Sequence, residues 1–315
     1  SLPLKDANEM LCAGKAQELI DCVWSAKAYQ PDGIVAGADL WDDIQKEDNY
    51  VTVEYPFDCL NIKTHGLRKG ELVTVTAGSG VGKSSFCRHV ALHLLKKNFS
   101  VGYIALEESI KRSALGIMCI ELGKPLHLDR TGVDDKKLKT VFDKTVGSGK
   151  FYLYNHFGST ASDNLLSKIR YLAKGCGVDF VILDHLHMAL SAVGDETTSD
   201  ERKLIDYTVS KLRTLVEETG IGLILVSHLK RPEGNKGYED GVAVSMNSLR
   251  GSASIGQLSD MIISMSRDLQ SDKNLAQVNI LKNRFSGETG KACTLYYDLQ
   301  TGCLTETDGD VQDDF

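Results

Sequence analysis

Residues 77–84 read Ala-Gly-Ser-Gly-Val-Gly-Lys-Ser, with an apolar run ending at Thr76 before them and a helix-forming stretch, Ser85–Lys97, after them. A glycine turn between strand and helix is a cradle for phosphate. Glycine lets successive backbone N–H groups face one oxygen cluster, and the helix N-terminus adds partial positive charge. Gly78, Ser79, Gly80, Val81 and Gly82 would line the cradle, with Ser85 at its edge. Lys83 would reach the β- and γ-phosphates, and the Ser84 hydroxyl would hold Mg²⁺. Ala77, at a position where glycine is usual, is small enough to fit. The chain is therefore expected to bind a nucleoside triphosphate.

Phosphate chemistry needs further groups, and three strand ends offer them. Phe180-Val-Ile-Leu-Asp184 is a buried strand closing on a carboxylate. Ligands in parallel sheets gather at the carboxyl ends of strands, so Asp184 is the second metal-site candidate. Leu106-Glu107-Glu108 closes another strand, and Glu107, nearer its end, is the candidate general base that deprotonates water. Ile221–His228 is a third strand, whose terminal His228 could sense the γ-phosphate. The long glycine-rich loop that follows carries Lys230, Arg231 and Lys236, suited to nucleic-acid phosphates without reading sequence.

These groups must be positioned by a scaffold, and strand-like and helix-like segments alternate from Val51 onward. Strands are expected at Leu72–Thr76, Val101–Leu106, Phe151–Tyr154, Phe180–Leu183 and Leu223–Ser227, a βα alternation that builds a parallel sheet covered on both faces. After Met261 the pattern becomes Met261–Met265, Gln277–Leu281 and Cys293–Tyr297 joined by turns, which predicts antiparallel strands extending that sheet. Asp200–Glu218 is the clearest helix. Residues 5–29 read as one amphipathic helix with Ala16, Leu19, Ile20, Val23 and Trp24 on one face, packing on its own domain or docking on a neighbouring subunit.

The 315 residues have ordinary globular composition and a formal net charge of −7. Much of that charge lies in residues 306–315, with five acids and no base, so any nucleic-acid contact must come from a local basic patch. The eight cysteines include no Cys-x-x-Cys pair, which argues against a zinc site and a disulfide framework. Neither a membrane-spanning apolar run nor a signal peptide is present, so a cytoplasmic or nucleoid-associated protein with no membrane partner is expected.

The order of these pieces resembles the RecA-like ring helicases of the DnaB and Twinkle type, and among them the helicase half of the primase–helicases of short-tailed phages. The resemblance rests on Gly66-Leu-Arg-Lys-Gly-Glu-Leu through Ser84, Leu106-Glu-Glu-Ser109, Ile182-Leu-Asp-His185, Asp200-Glu-Arg-Lys203, Ser227-His-Leu-Lys230, Ser248-Leu-Arg-Gly-Ser252 with Gln257, and Lys282-Asn-Arg284-Phe-Ser-Gly-Glu-Thr-Gly290. It implies a RecA-like P-loop NTPase core that assembles as a homo-hexamer, or a ring of seven, with nucleotide sites between subunits. Single-stranded DNA would fill the channel, with 5′-to-3′ translocation and duplex unwinding driven by hydrolysis of ATP or dTTP.

By the same resemblance Arg284 is an arginine finger for the neighbouring site, Arg267 a second phosphate-facing arginine, Gln257 a γ-phosphate contact and Tyr297 a stacking partner for the base. Arg250 and Gly251 join the DNA contacts. Residues 1–50 become a docking helix and linker, 51–305 the motor domain, and 306–315 a disordered acidic tail that holds the replicative DNA polymerase through Phe315. Two departures stand out: Ser248 where Asp is usual, and Gly256 where relatives carry a charge. The primase half lies outside this sequence and residue 1 is not Met, so a piece of a longer protein is expected. The rival readings are a RecA/RadA-type filament ATPase and a nucleotide-gated scaffold that recruits a polymerase without unwinding.

Overall fold

The computed structural model describes residues 2–24, 36–45, 51–155, 164–186, 201–230, 237–238, 240–249, 253–271 and 273–307. The chain divides into two units, residues 1–49 and 50–315.

In the first unit the single helix expected over residues 5–29 is two helices within the described residues, α1 (Ala7–Cys12) and α2 (Ala16–Trp24). Asp6 caps α1 by accepting the Glu9 backbone N–H, and Gly14 then takes a φ of +74°, which breaks the helical run between α1 and α2. The apolar side of α2 stays open, with Trp24 85% exposed. A short α3 (Trp41–Ile44) follows.

The second unit is built on β1 (Thr52–Val53), β2 (Leu67–Arg68), β3 (Leu72–Ala77), β4 (Val101–Ala105), β5 (Phe151–Leu153), β6 (Phe180–Asp184), β7 (Gly222–His228), β8 (Met261–Ser266), β9 (Leu275–Asn283), β10 (Gly290–Tyr297) and β11 (Leu304–Thr307). β1 and β2 pair with each other. The remaining strands form one nine-stranded sheet, in the order β11-β10-β9-β8-β3-β7-β6-β4-β5. Every pairing from β8 to β5 is parallel, and those of β8, β9, β10 and β11 with one another are antiparallel. This is the expected RecA-like arrangement, and all eight expected strands are present.

The pleat sends alternate side chains to opposite faces, and each face meets its own helices. Val73, Val75, Tyr103, Ile182, Ile224 and Val226 pack with Phe86, Val90 and Leu94 of α5 (Lys83–Lys96), after α4 (Asp58–Thr64) in the chain. Leu72, Ile104, Val181, Leu183, Leu223 and Leu225 pack against the other set. Those helices are α8 (Asn164–Lys174), α9 (Glu201–Thr219) and α10 (Ala253–Leu258), which come after α6 (Ile110–Leu122) and α7 (Asp135–Lys144) in the chain. Each large apolar side chain so buried contributes about 1.5–3 kcal/mol, enough to hold the strand ends in register. Contrary to the sequence expectation, Cys59 on α4 and Cys293 on β10 form a disulfide. The partners stand 234 residues apart, so no local spacing announces them. Among the described residues no helix is long and apolar enough to cross a membrane.

Candidate nucleotide and phosphate site

Sheet register gathers the chemistry at one edge. Ala77 of β3 pairs with His228 of β7, and Ala105 of β4 pairs with Asp184 of β6, so the phosphate loop, Glu107, Asp184 and His228 all leave the carboxyl ends of neighbouring strands. The loop needs its glycines for different reasons. Gly80 and Gly82 hold φ values of +74° and +115°, while a Cβ on Gly78 would stand 2.7 Å from Cβ of Tyr238.

Lys83 is the first residue of α5 and is buried. Its ammonium donates to the carbonyls of Ala77 at 3.0 Å and Gly78 at 2.8 Å. Burial draws its pKa down, with Asp184 and Glu107 opposing the shift. Asp184 is buried too. Burial pushes its carboxyl up, against a hydrogen bond with the Ser84 side chain. A hydroxyl and a carboxylate touching at a helix N-terminus are hard oxygen donors of the kind Mg²⁺ takes, so the pair fits that ion.

The two adjacent glutamates part ways. Both oxygens of Glu108 bind the Arg88 guanidinium, at 2.7 and 2.6 Å, and the Ser113 hydroxyl donates to one of them at 2.7 Å. Glu108 is thus committed to holding α5 against α6. Glu107 keeps a 60% exposed side chain, and one oxygen lies 2.7 Å from Nε2 of His185. Burial alone would raise the Glu107 carboxyl, but the hydrogen bond and charge of His185, with His228 and Lys83, bring it below its ordinary value. The His185 and His228 rings meet edge to face with centroids 4.0 Å apart.

His185, Asp260, Arg88 and the pocket below were missed by sequence reasoning. The His185 signal was legible, an imidazole one residue past the strand-end carboxylate. The pocket was not. A cavity of about 490 Å³ beside the loop is lined by Ser85, Arg88, Arg112, His127, Tyr297 and Gly302, so Tyr297 shares one cavity with Ser85 at the edge of the loop. Arg267 lines a separate cavity of about 150 Å³, and Asn274 ties the two regions by bonding both the Arg267 guanidinium and the Tyr297 N–H.

Arg284 and Gln257 are not beside the loop. Arg284 binds Asp260, which accepts the N–H of Leu72 at 2.9 Å, so it sits at the start of β3 and the loop at its end. The Gln257 carbonyl accepts from both Lys282 and Arg284, placing cations at the C-terminus of α10.

Of the basic loop, Lys230 is described. Its N–H donates to Ser248 and its ammonium to Asn247, while Leu229 bridges Leu249, so the two expected DNA-contacting stretches are neighbours. Arg231, Lys236, Arg250 and Gly251 lie outside the described residues. Ser248 completes a capping box with Ser245, and a side chain at Gly256 would press on the tip of Met246 at 2.9 Å. Ser248 thus has a local hydrogen-bonding role, whereas the exposed Met246 tip can move aside for a side chain at Gly256, so nothing in the structure explains that departure.

The model of the DnaB-like helicase C terminal domain matches residues 52–303. A DNA helicase/primase of Enterobacteria phage T3 is 38% identical over 313 residues, covering 96% of this chain and 55% of that protein. The replicative DNA helicase DnaC of Bacillus subtilis is 26% identical, covering 72% of this chain and 49% of that one. The chain thus spans about half the length of these curated relatives. Among solved structures, an isolated ATPase domain superposes with a TM-score of 0.69 at 21% identity, over 88% of this chain and all of that one. A DnaB-like replicative helicase studied with primase gives 0.67 at 20% identity, over 95% and 73% of the two chains. These two share the fold.

Proposed function

The chain belongs to the DnaB-like helicase C-terminal domain family, and from that premise we propose that it is the motor of a ring-forming replicative DNA helicase. Hydrolysis of ATP or dTTP between subunits drives 5′-to-3′ translocation on single-stranded DNA and duplex unwinding. One observation carries the ring. Arg284 and the phosphate loop stand at opposite ends of β3, a six-residue strand spanning roughly 17 Å, beyond the reach of one side chain. An arginine finger so placed serves a neighbour's nucleotide and not its own, which supports head-to-tail assembly, and the helicase family supports closure of that assembly into a ring.

In this reading Lys83 and the loop amides of Gly78–Ser85 hold the phosphates, and Ser84 with Asp184 holds Mg²⁺, which when bound neutralises phosphate charge. Glu107 takes the proton of the attacking water, His228 senses the γ-phosphate, and Tyr297 stacks on the base. Arg267 adds a phosphate contact, and Gln257, which lies beside Arg284 and away from its own loop, contacts the γ-phosphate of the neighbour's nucleotide. Lys230, Arg231, Lys236, Arg250 and Gly251 face DNA, and the apolar side of α2 docks on the next subunit. The acidic tail, with Phe315 as an aromatic anchor, recruits the replicative polymerase; a primase acts beside this motor, and the site of action is the cytoplasm, that of the host if the protein is phage-encoded. Contrary to the expectation of a tail from residue 306, Glu306 and Thr307 belong to β11 and pair with Leu295 and Thr294, while 308–315 lie outside the described residues. The deletion that tests this is therefore 308–315, expected to spare hydrolysis and weaken polymerase binding, most visibly at low salt.

The decisive test mixes Arg284→Ala with Lys83→Ala subunits. Each alone is inactive, but a mixed ring contains interfaces with an intact lysine and an intact arginine, so partial hydrolysis should return. Rings of confirmed mixed composition with no recovered activity would refute action in trans.

A further inference from the structure

Glu107 carries a difficulty for a general base: its side chain is 60% exposed and follows the end of β4, where a free carboxylate would sample several rotamers. Catalysis needs it within about 0.5 Å of one geometry. The group that can enforce this is the side chain of His185, which is 6% exposed and has Nε2 2.7 Å from Glu107 Oε1. The backbone sets the pair up. Leu106 N–H donates to the Asp184 carbonyl at 2.7 Å, so the residues following β4 and β6 leave the sheet side by side.

An ionised carboxylate only accepts, so the shared proton belongs to Nε2. The bond occupies Oε1 and leaves Oε2 for water. On the far side, the His185 ring meets His228 at 4.0 Å, and the ligand atoms of Glu107, His185 and His228 all lie within 4.8 Å of one another.

We propose that His185 is a positioning residue for the hydrolytic step, aligning Glu107 toward the attacking water and joining it to His228. The proposal rests on the hydrolase reading above. In the step it serves, the water oxygen forms a bond to the γ-phosphorus while the bond to the β–γ bridging oxygen breaks. The water proton passes to Glu107 Oε2 and then to solvent, leaving a nucleoside diphosphate and phosphate. A residue acting on the base alone changes turnover and leaves nucleotide affinity untouched.

The test is steady-state hydrolysis with single-stranded DNA, together with fluorescent-nucleotide binding, on the full chain carrying His185→Ala, His185→Gln, Glu107→Gln and the His185→Ala/Glu107→Gln pair. His185→Ala is expected to lower kcat about 10–100-fold, the scale for groups that orient a functional ligand, with nucleotide Kd changed less than about threefold. His185→Gln, which restores an N–H at similar reach, should recover most of kcat. In the Glu107→Gln background His185→Ala should cost nothing further, because its effect passes through that carboxylate.

A kcat for His185→Ala within about twofold of wild type, or an equal loss with Glu107 already replaced, would overturn the proposal. If His185→Ala does not fold, the His185→Gln and His185→Asn pair decides. Gln reaches Glu107 and Asn does not, so equal turnover would overturn it. A wild-type chain that hydrolyses no nucleotide would instead overturn the hydrolase reading, and this proposal with it.

Discussion

Arg284 Nη1 lies 3.2 Å from Asp260 Oδ1, while the other oxygen of the same carboxylate takes the Arg213 guanidinium and the Leu72 N–H. Asp260 is buried, the Arg213 side chain is 21% exposed and that of Arg284 is 49% exposed. One carboxylate thus serves a structural arginine and a second, half in solvent, that can swing outward.

The contrast between those arginines is measurable. Arg213→Ala leaves part of a buried charge uncompensated and should cost about 2–3 kcal/mol in urea unfolding. Arg284→Ala should cost under about 1 kcal/mol, as half-exposed pairs do. Yet it should lose about 10³-fold in hydrolysis, the scale of an arginine finger. Unchanged turnover in Arg284→Ala would remove it from the catalytic assignment.

The three charged residues near the loop should separate by assay. Lys83→Ala should abolish nucleotide binding and hydrolysis. Glu107→Gln should bind nucleotide normally and lose about 10²–10⁴-fold in turnover. Glu108→Gln should still turn over, but lose about 1–3 kcal/mol of stability because the Arg88 guanidinium keeps a poorer partner. An inactive Glu108→Gln beside an active Glu107→Gln would transfer the base role to Glu108.

His89 makes stability depend on pH. Its Nε2 accepts the Leu304 N–H at 3.0 Å, so the ring is neutral and Nδ1 donates to the Ser85 carbonyl at 2.9 Å. Burial lowers its pKa from 6.5, so as pH falls below that value the unfolded chain takes a proton that the folded chain refuses. The His89 contribution is therefore complete above about pH 6.5 and is lost progressively toward the lower folded-state pKa. Melting temperatures between pH 5 and 8 should fall on the acid side, and less so in His89→Gln. Identical profiles for the two proteins would exclude His89 as the source.

For DNA, replacing Lys230, Arg231 and Lys236 together with Ala should weaken single-strand binding and flatten its salt dependence. Each lost phosphate contact lowers the slope of log K against log salt by about 0.7, so three remove about 2. An unaltered slope would move the contacts to other residues.

The strand–turn–helix frame of the candidate phosphate loop was legible because its pattern is local: eight consecutive residues between an apolar run and a helix-forming stretch state it. The strands were legible for the same reason, since alternation and apolar runs are short-range patterns. The break at Gly14 was harder to see, because a glycine inside an amphipathic period costs only about 1 kcal/mol and the face pattern outweighs it. What tertiary structure alone decided is which neighbours share a carboxylate. Glu107 and Glu108 are adjacent and chemically identical, and only the packing of α5 against α6 commits Glu108 to Arg88, while the pairing of β4 with β6 brings Glu107 to His185. The distance from Arg284 to its own phosphate loop is likewise a property of sheet order, which local sequence cannot carry because strands far apart in the chain become neighbours on folding.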